Sequence, residues 1–408
     1  MKAPAPYPLP PLVRRVAPPH RGAGIFMNSR LPQVLGAPAD FRDRLATLAV
    51  AVGGVGSIGS RIALHLATLG LRRLGLFDPK SYKRESVFTH PIASMPSTTA
   101  KATWTAKQAT KLCPRTRVEY AVARLQDLNP ADLAPYDILL LASDNIAAEV
   151  AASRAARMLA IPMLQAAVQP ESLSAQVKFY SASAAAACPG CQLGSPELND
   201  PQATFSCGRT HQPGSEQPTS SFSFLCSLAA DLALNQLIRH VLGLDPPVQN
   251  TVLTYCGLSH STALMQTTRS ATCPSDHRPF SPVWLSQPLA SHSPAQLVRR
   301  AKLPARAAEL RVDDAFAFAD RLCCIACGRT APAQRFIRRA RPPACRCGHA
   351  LHPPPFHALP AVTLAKFAAG GQALPLAALG AADVRSVVVT TADRGVVFFG
   401  PDTDRRSS

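Results

Sequence analysis

Residues 46–53 read ATLAVAVG, and the next six, Gly54-Val55-Gly56-Ser57-Ile58-Gly59, spell G-x-G-x-x-G. An unbroken apolar run ending in glycine fits a strand buried on both faces of a parallel sheet. Residues 60–71 then place apolar side chains at helical spacing. A strand, a glycine turn and a helix in that order aim the first N–H groups of the helix at one point, where an anion can sit. Asp78 ends the next apolar segment, 22 residues after Gly56. That offset suits a carboxylate that takes ribose hydroxyls. Dinucleotide-binding dehydrogenases share this signature, so an NAD-dependent oxidoreductase is one reading of it. A glycine turn with a purely structural role is another.

The alternation continues. Helices are expected over 101–112, 145–159 and 222–242, the last closed by Gly243. Strands are expected over 74–77, 117–122, 137–142, 161–168 and 175–180. Strands alternating with helices imply an α/β fold with a doubly wound, mostly parallel sheet. Residues 248–255 and 261–268 alternate like an antiparallel pair, and 384–399 read as a hairpin turning at Asp393-Arg394-Gly395.

Proline punctuates the flanks. The chain has 39 prolines in 408 residues, many near the N-terminus or after residue 278. Residues 1–40 read as a flexible Pro/Arg-rich arm, and 281–320 as a linker with some helix. No run of 18 apolar residues and no apolar leader segment occurs. The expectation is a cytoplasmic protein without a membrane span.

The formal net charge is +18. From residue 299 to residue 346 there are twelve Arg/Lys against four Asp/Glu. Such a face could meet nucleic acid, an acidic protein or ATP. No nucleic-acid recognition element accompanies the charge, which argues against nucleic acid.

Several of the 12 cysteines form short pairs, which in a chain this large suggest metal sites rather than disulfides. Cys324-x-x-Cys327 and Cys345-x-Cys347 are separated by 17 residues, with Gly328 and Gly348 directly after the pairs. That is a zinc-ribbon-like arrangement, in which His349, His352 or Cys323 could replace a ligand. Residues 321–408 are therefore expected to form a small zinc-ribbon-like α+β domain that binds a protein partner or serves only stability.

The stretch GGVGSIGSRIALHLATLGLRRLGLFDP resembles the opening of the ubiquitin-activating (E1-like) superfamily of ThiF, MoeB and HesA. The resemblance continues through Lys101, Asp144-Asn145, Cys188-Pro189-Gly190-Cys191 and Cys207, and covers about residues 41–280. It implies a Rossmann-like adenylation domain of the ThiF/E1 type that uses ATP and Mg²⁺ to activate a C-terminal carboxylate. Gly54, Gly56 and Gly59, with Ser57 in the same loop, would hold the nucleotide. Asp78 would bind ribose, Lys101 would neutralise phosphate charge, and Asp144 would coordinate Mg²⁺. For Lys101 the bland reading is a solvated helix lysine, and for Asp144 a helix N-cap. The family often closes a zinc site with a later cysteine pair. This chain has Cys273 and His277 there, so Zn²⁺ held by Cys188, Cys191, Cys273 and His277 is expected.

One segment departs from the family. Members carry an Asn and then an Arg after the ribose carboxylate, where this chain has Ser86 and Thr89. Either Arg84 or Arg61 substitutes, or the catalytic arginine is lost. Cys207 sits where sulfur-carrier and ubiquitin-type members carry a thioester or persulfide cysteine. An inert loop cysteine or an extra metal ligand is the alternative. Cys113, Cys226 and Cys256 read as core or inert residues.

The resulting expectation is adenylation of a ubiquitin-like protein with capture on Cys207 and hand-over to an E2-like partner, in a homodimer. Alternatives are sulfur-carrier activation, peptide modification in a natural-product pathway, or a non-catalytic adaptor.

Overall fold

The computed structural model describes residues 13–16, 37–83, 86, 98–143, 146–192, 221–244, 248–340, 342–354 and 356–401. The first strand, β1, is Arg14–Arg15, and helix α1 is Phe41–Thr47. The α/β core follows as β2 (Ala49–Gly53), α2 (Gly59–Thr68), β3 (Arg73–Phe77), α3 (Lys101–Leu112), β4 (Arg117–Ala121), α4 (Pro130–Leu133), β5 (Ile138–Leu141), α5 (Ile146–Leu159), β6 (Met163–Gln169) and β7 (Ser174–Tyr180). Helix α6 (Ser223–Leu242) and the hairpin β8 (Thr251–Cys256) and β9 (Ser261–Gln266) complete it.

Among the described residues this part forms a nine-stranded sheet in the order β1-β4-β3-β2-β5-β6-β7-β8-β9. Strands β4, β3, β2, β5 and β6 run parallel, and β7, β8, β9 and β1 are antiparallel additions. Chain order reverses between β2 and β5, the place where open α/β sheets bind ligands at their carboxyl ends. Every residue of β2, β3 and β5 is buried, as the continuous apolar runs of β2 and β5 require, and in β3 the buried set includes Arg73.

Alternate strand residues separate the two faces. Val50, Val52, Leu74, Leu76 and Leu140 pack with α2, α3 and α6 residues such as Ile62, Ala106 and Leu237. Ala51, Leu139, Leu141 and Met163 face Leu133 of α4 and Ala152 and Ala156 of α5. On the latter face Glu119 accepts from Arg73 Nε at 2.8 Å and from the Tyr136 hydroxyl at 2.9 Å. Burial pushes the Glu119 carboxyl up, but hydrogen bonding and charge from Arg73, with Arg117, outweigh it and hold the carboxyl below its ordinary value. Both side chains of the Arg73–Glu119 pair are only 7% exposed. Glu119→Ala would strand a buried guanidinium and is expected to cost about 3 kcal/mol in chemical denaturation. Because the folded-state value is depressed, this stabilisation is present above the unfolded carboxylate range and is lost as pH falls through the folded value.

The rest of the chain adds β10 (Phe280–Trp284), α7 (Pro294–Arg300), β11 (Glu309–Val312), β12 (Phe316–Cys323), β13 (Thr330–Arg338), β14 (Ala358–Leu359), β15 (Val362–Thr363), β16 (Ser386–Thr390) and β17 (Gly395–Phe399). A five-stranded sheet runs β10-β17-β16-β11-β15, and a three-stranded one runs β13-β12-β14. Residues 281–320, expected as a linker with some helix, thus carry most of β10, all of β11 and part of β12. Pro282 is tolerated because β10 is an edge strand, where a missing N–H leaves no gap in the ladder. The hairpin read from 384–399 pairs as β16 and β17, joins the five-stranded sheet, and presses Val388, Val397 and Phe399 onto the α5 face. Arg385 fastens the two parts by a bidentate bond to Asp132, at 2.6 and 3.1 Å. No helix among the described residues is long and apolar enough to cross a membrane.

Candidate functional site: a nucleotide loop and two sulfur clusters

The turn from β2 into α2 is held from three sides. Gly54 donates to the Phe77 carbonyl at 2.8 Å, and Ala142, just past β5, donates to the Gly53 carbonyl at 2.8 Å. Gly54 has φ +80°, and a Cβ there would lie 2.6 Å from the Ala142 carbonyl oxygen. A Cβ on Gly59 would lie 1.9 Å from the Gly54 carbonyl oxygen, so helix and loop touch where only glycine fits. Gly56 differs, because nothing lies within 4 Å of its Cβ direction. The middle of the loop is open, as a phosphate cradle requires.

Asp78 follows β3 and is 5% exposed. Its Oδ2 accepts the Val55 N–H of the loop at 2.7 Å, and its Oδ1 accepts the Lys80 N–H at 2.7 Å. Burial raises its pKa, and the Lys80 amide, the Lys101 charge and the Val55 amide offset part of that rise. Each oxygen keeps a lone pair for a further donor such as a ribose hydroxyl. Asp78 is therefore also a brace for the loop, which its position in the sequence does not reveal.

Lys101 opens α3, and its backbone N–H binds the Lys80 carbonyl at 3.0 Å. Its Nζ lies 5.7 Å from the centroid of the Tyr82 ring, which in turn packs edge-on against Trp104. The aromatic pair holds the lysine stem on the same rim as Asp78, close enough for the two charges to interact. The structure thus gathers Gly54, Gly56, Ser57, Gly59, Asp78 and Lys101 at the carboxyl ends of β2 and β3. Asp144, Arg84 and Cys207 lie outside the described residues.

Arg61, the other arginine left open by the sequence, is 7% exposed. Its guanidinium binds the Ser57 carbonyl and, at 2.7 Å, the Ser223 hydroxyl. It bolts the loop to the start of α6. Cys226 of α6 is 2% exposed, and burial raises its thiol pKa, in keeping with a packing role. Cys256 is half-buried on β8, and hydrogen bonds from Ser259 lower its thiol to about 7.

Cys188, Cys191, Cys273 and His277 come together at the far end of α5, with all ligand atoms within 4.8 Å of one another. Cys188 Sγ is 3.9 Å from Cys191 Sγ and 3.6 Å from Cys273 Sγ. His277 Nε2 is 3.3 and 3.4 Å from Cys188 and Cys191. A tetrahedral zinc with ordinary bond lengths needs ligand atoms about 3.5–3.8 Å apart, so the donor set fits. The outer nitrogen is unusual. Arg157 Nη2 lies 2.6 Å from His277 Nδ1, the nitrogen that a neutral histidine ligating through Nε2 keeps protonated and ordinarily turns toward an acceptor. Burial and the neighbouring Arg157 and Arg269 lower the His277 pKa, which favours a neutral ring. Arg157 carries no sequence signal for this role.

Cys324, Cys327, Cys345 and Cys347 form a second set within 4.8 Å. Cys324 and Cys347 approach to 3.5 Å, and Cys327 and Cys345 to 3.7 Å. Gly328 and Gly348 adopt φ +67° and +84° and donate back to the carbonyls of Cys324 and Cys345, closing both knuckles. Chelation is expected to release close to one equivalent of metal per cluster. Cys188→Ser is expected to remove one of the two while the other persists, as read by elemental analysis.

A family model described as ThiF family matches residues 29–275. A sulfur carrier protein adenylyltransferase from Thermus thermophilus is 25% identical over 250 residues, 60% of this chain and 86% of its own length. Among solved structures, E. coli MccB with MccA-N7isoASN is 18% identical, with a TM-score of 0.46, over 57% of this chain and 68% of that one. PaaA is 17% identical, with a TM-score of 0.43, over 56% of this chain and 67% of that one.

Proposed function

The chain belongs to the ThiF family, and from that premise we propose that it is an ATP-dependent adenylyltransferase acting on the C-terminal carboxylate of a small protein or peptide. The observation that carries this reading is the open glycine loop with Asp78 and Lys101 on one rim, beside the end of β5. In the reaction a carboxylate oxygen of the substrate forms a bond to the α-phosphorus. The bond from that phosphorus to the bridging oxygen breaks, and pyrophosphate leaves. Attacker and target both carry negative charge, so the barrier falls when cations neutralise the phosphates. Lys101 supplies one positive charge, the amides of the loop supply oriented dipoles, and Asp78 fixes the ribose. Mg²⁺, held by Asp144, would supply the remaining charge.

The finer reading is a ubiquitin-like or sulfur-carrier substrate. The relative with a sulfur-carrier activity favours the second. Cys207 would then capture the acyl group: its thiolate attacks the carbonyl carbon, the acyl–phosphate bond breaks and AMP leaves. The two sulfur clusters would bind Zn²⁺ and act structurally. We place the adenylation unit at 41–280 and the zinc-ribbon-like hairpin within a C-terminal unit that begins near residue 280, since β10 and β11 share a sheet with β16 and β17, and read the active form as a homodimer.

The test uses ATP labelled at the α-phosphorus with small proteins encoded beside the gene. Label should move onto a substrate with a free C-terminus and not onto one with an amidated C-terminus. A thiol-sensitive adduct that disappears in Cys207→Ala would mark capture, and labelling without an adduct would limit the reading to adenylation. Equal labelling of free and amidated substrates would refute the carboxylate as the acceptor.

A further inference from the structure

Between residues 321 and 357 the chain has seven arginines and no Asp, Glu or Lys. Arg341 lies outside the described residues, and three of the other six are used within the fold or turned toward it. Arg338 pairs with Asp383, Arg339 donates to the Phe316 carbonyl at 3.4 Å, and the Arg335 guanidinium lies against Gly380. Arg321, Arg329 and Arg346 are exposed, and their side chains have no hydrogen-bond or ion-pair partner among the described residues.

All three sit at the sulfur end of the β12–β13 hairpin. Arg329 belongs to the first knuckle, whose Cys324 donates to the Arg329 carbonyl at 2.8 Å. Arg346 stands between Cys345 and Cys347 of the second. Arg321 lies on β12, opposite Pro332. Apolar side chains share this end. Ile325, between the cysteines of the first knuckle, is 85% exposed. Phe356 is 97% exposed and lies between His352, which pairs with Cys323, and Ala358, which pairs with Ala319.

A plain explanation is that the arginines offset the thiolates. Four thiolates with one divalent ion carry about two negative charges, so three arginines at the tip exceed what balance needs. We propose that the sulfur end of this hairpin is a docking surface for an acidic protein that presents carboxylates around an apolar cleft. Arginine with exposed apolar anchors, and no lysine, is the composition of a protein interface core. The planar guanidinium binds a carboxylate through two parallel hydrogen bonds. Nucleic acid fits less well. Phe356 offers a single exposed phenyl ring, where single-strand binders stack successive bases on several, and the described residues of this segment include no helix to enter a groove. The inference is independent of the adenylation chemistry.

The experiment uses the full metal-loaded chain and fluorescence anisotropy with three labelled probes of equal length. These are a peptide alternating glutamate and leucine, a polyglutamate peptide and a single-stranded oligonucleotide. The alternating peptide should bind tightest. Its affinity should fall about tenfold in a triple variant, R321E/R329E/R346E, and several-fold in Ile325→Asp. Metal content and circular dichroism must match wild type in both. Unchanged affinity in these variants would overturn the proposal. So would tighter binding of the oligonucleotide that the same substitutions abolish, which would assign the surface to nucleic acid instead.

Discussion

Lys101→Met is expected to lower ATP–pyrophosphate exchange about 100- to 1,000-fold while leaving the denaturation midpoint within experimental error of wild type. The substitution keeps the apolar stem against Tyr82 and removes only the charge. The α3 helix loses no backbone bond, because its tie to the Lys80 carbonyl comes from the Lys101 main chain. The rate effect should be large because the proposed role of Lys101 puts its charge where negative charge gathers during the displacement. A fall in affinity for ATP alone, with the rate at saturation unchanged, would place Lys101 in ground-state binding only. The two cases are told apart by measuring exchange across a range of ATP concentrations.

The second large effect concerns two glycines of one loop. Gly59→Val is expected to cost about 3 kcal/mol or more in denaturation and to abolish ATP binding. The added Cβ would lie 1.9 Å from the Gly54 carbonyl oxygen and 3.0 Å from its carbon, and neither is the end of a flexible side chain. The loop or the helix start must shift, and with it the Val55 amide that Asp78 holds. Gly56→Ala is the contrasting case. Nothing lies within 4 Å of the new methyl group, so stability should change by about 0.5 kcal/mol or less. The methyl would fill space that a phosphate needs, so ATP affinity should still fall. Loss of stability in both variants would mean that the open middle of the loop is not a ligand space.

The sheet is largely legible in the sequence because its strands are buried on both faces. Continuous runs such as 49–53 and 138–141 have no other stable placement, and the glycine loop between strand and helix fixes the ligand end of the sheet. The cysteine pairs are legible because knuckle spacing is local. Their pairing across distance is less so, and His277 is reached only by following chain order. Other features depend on contacts that no local pattern encodes. Proline-rich residues after 278 conceal β10 and β11, whose partners β17 and β16 lie 115 and about eighty residues further on. Asp78 bracing Val55, Arg61 bolting Ser57 to Ser223, and Arg157 meeting His277 are all side-chain choices made by tertiary packing. Arg84, Asp144 and Cys207 were readable as candidates, and they lie outside the described residues.

Exchange of labelled pyrophosphate into ATP, with purified metal-loaded protein and a small protein encoded beside its gene, tests the account most directly. Exchange that requires Mg²⁺ and a free substrate C-terminus, and that collapses in Lys101→Met, is the predicted result. Exchange that persists undiminished in Lys101→Met, or with the C-terminus blocked as an amide, would contradict the assignment of the loop and its lysine to carboxylate activation.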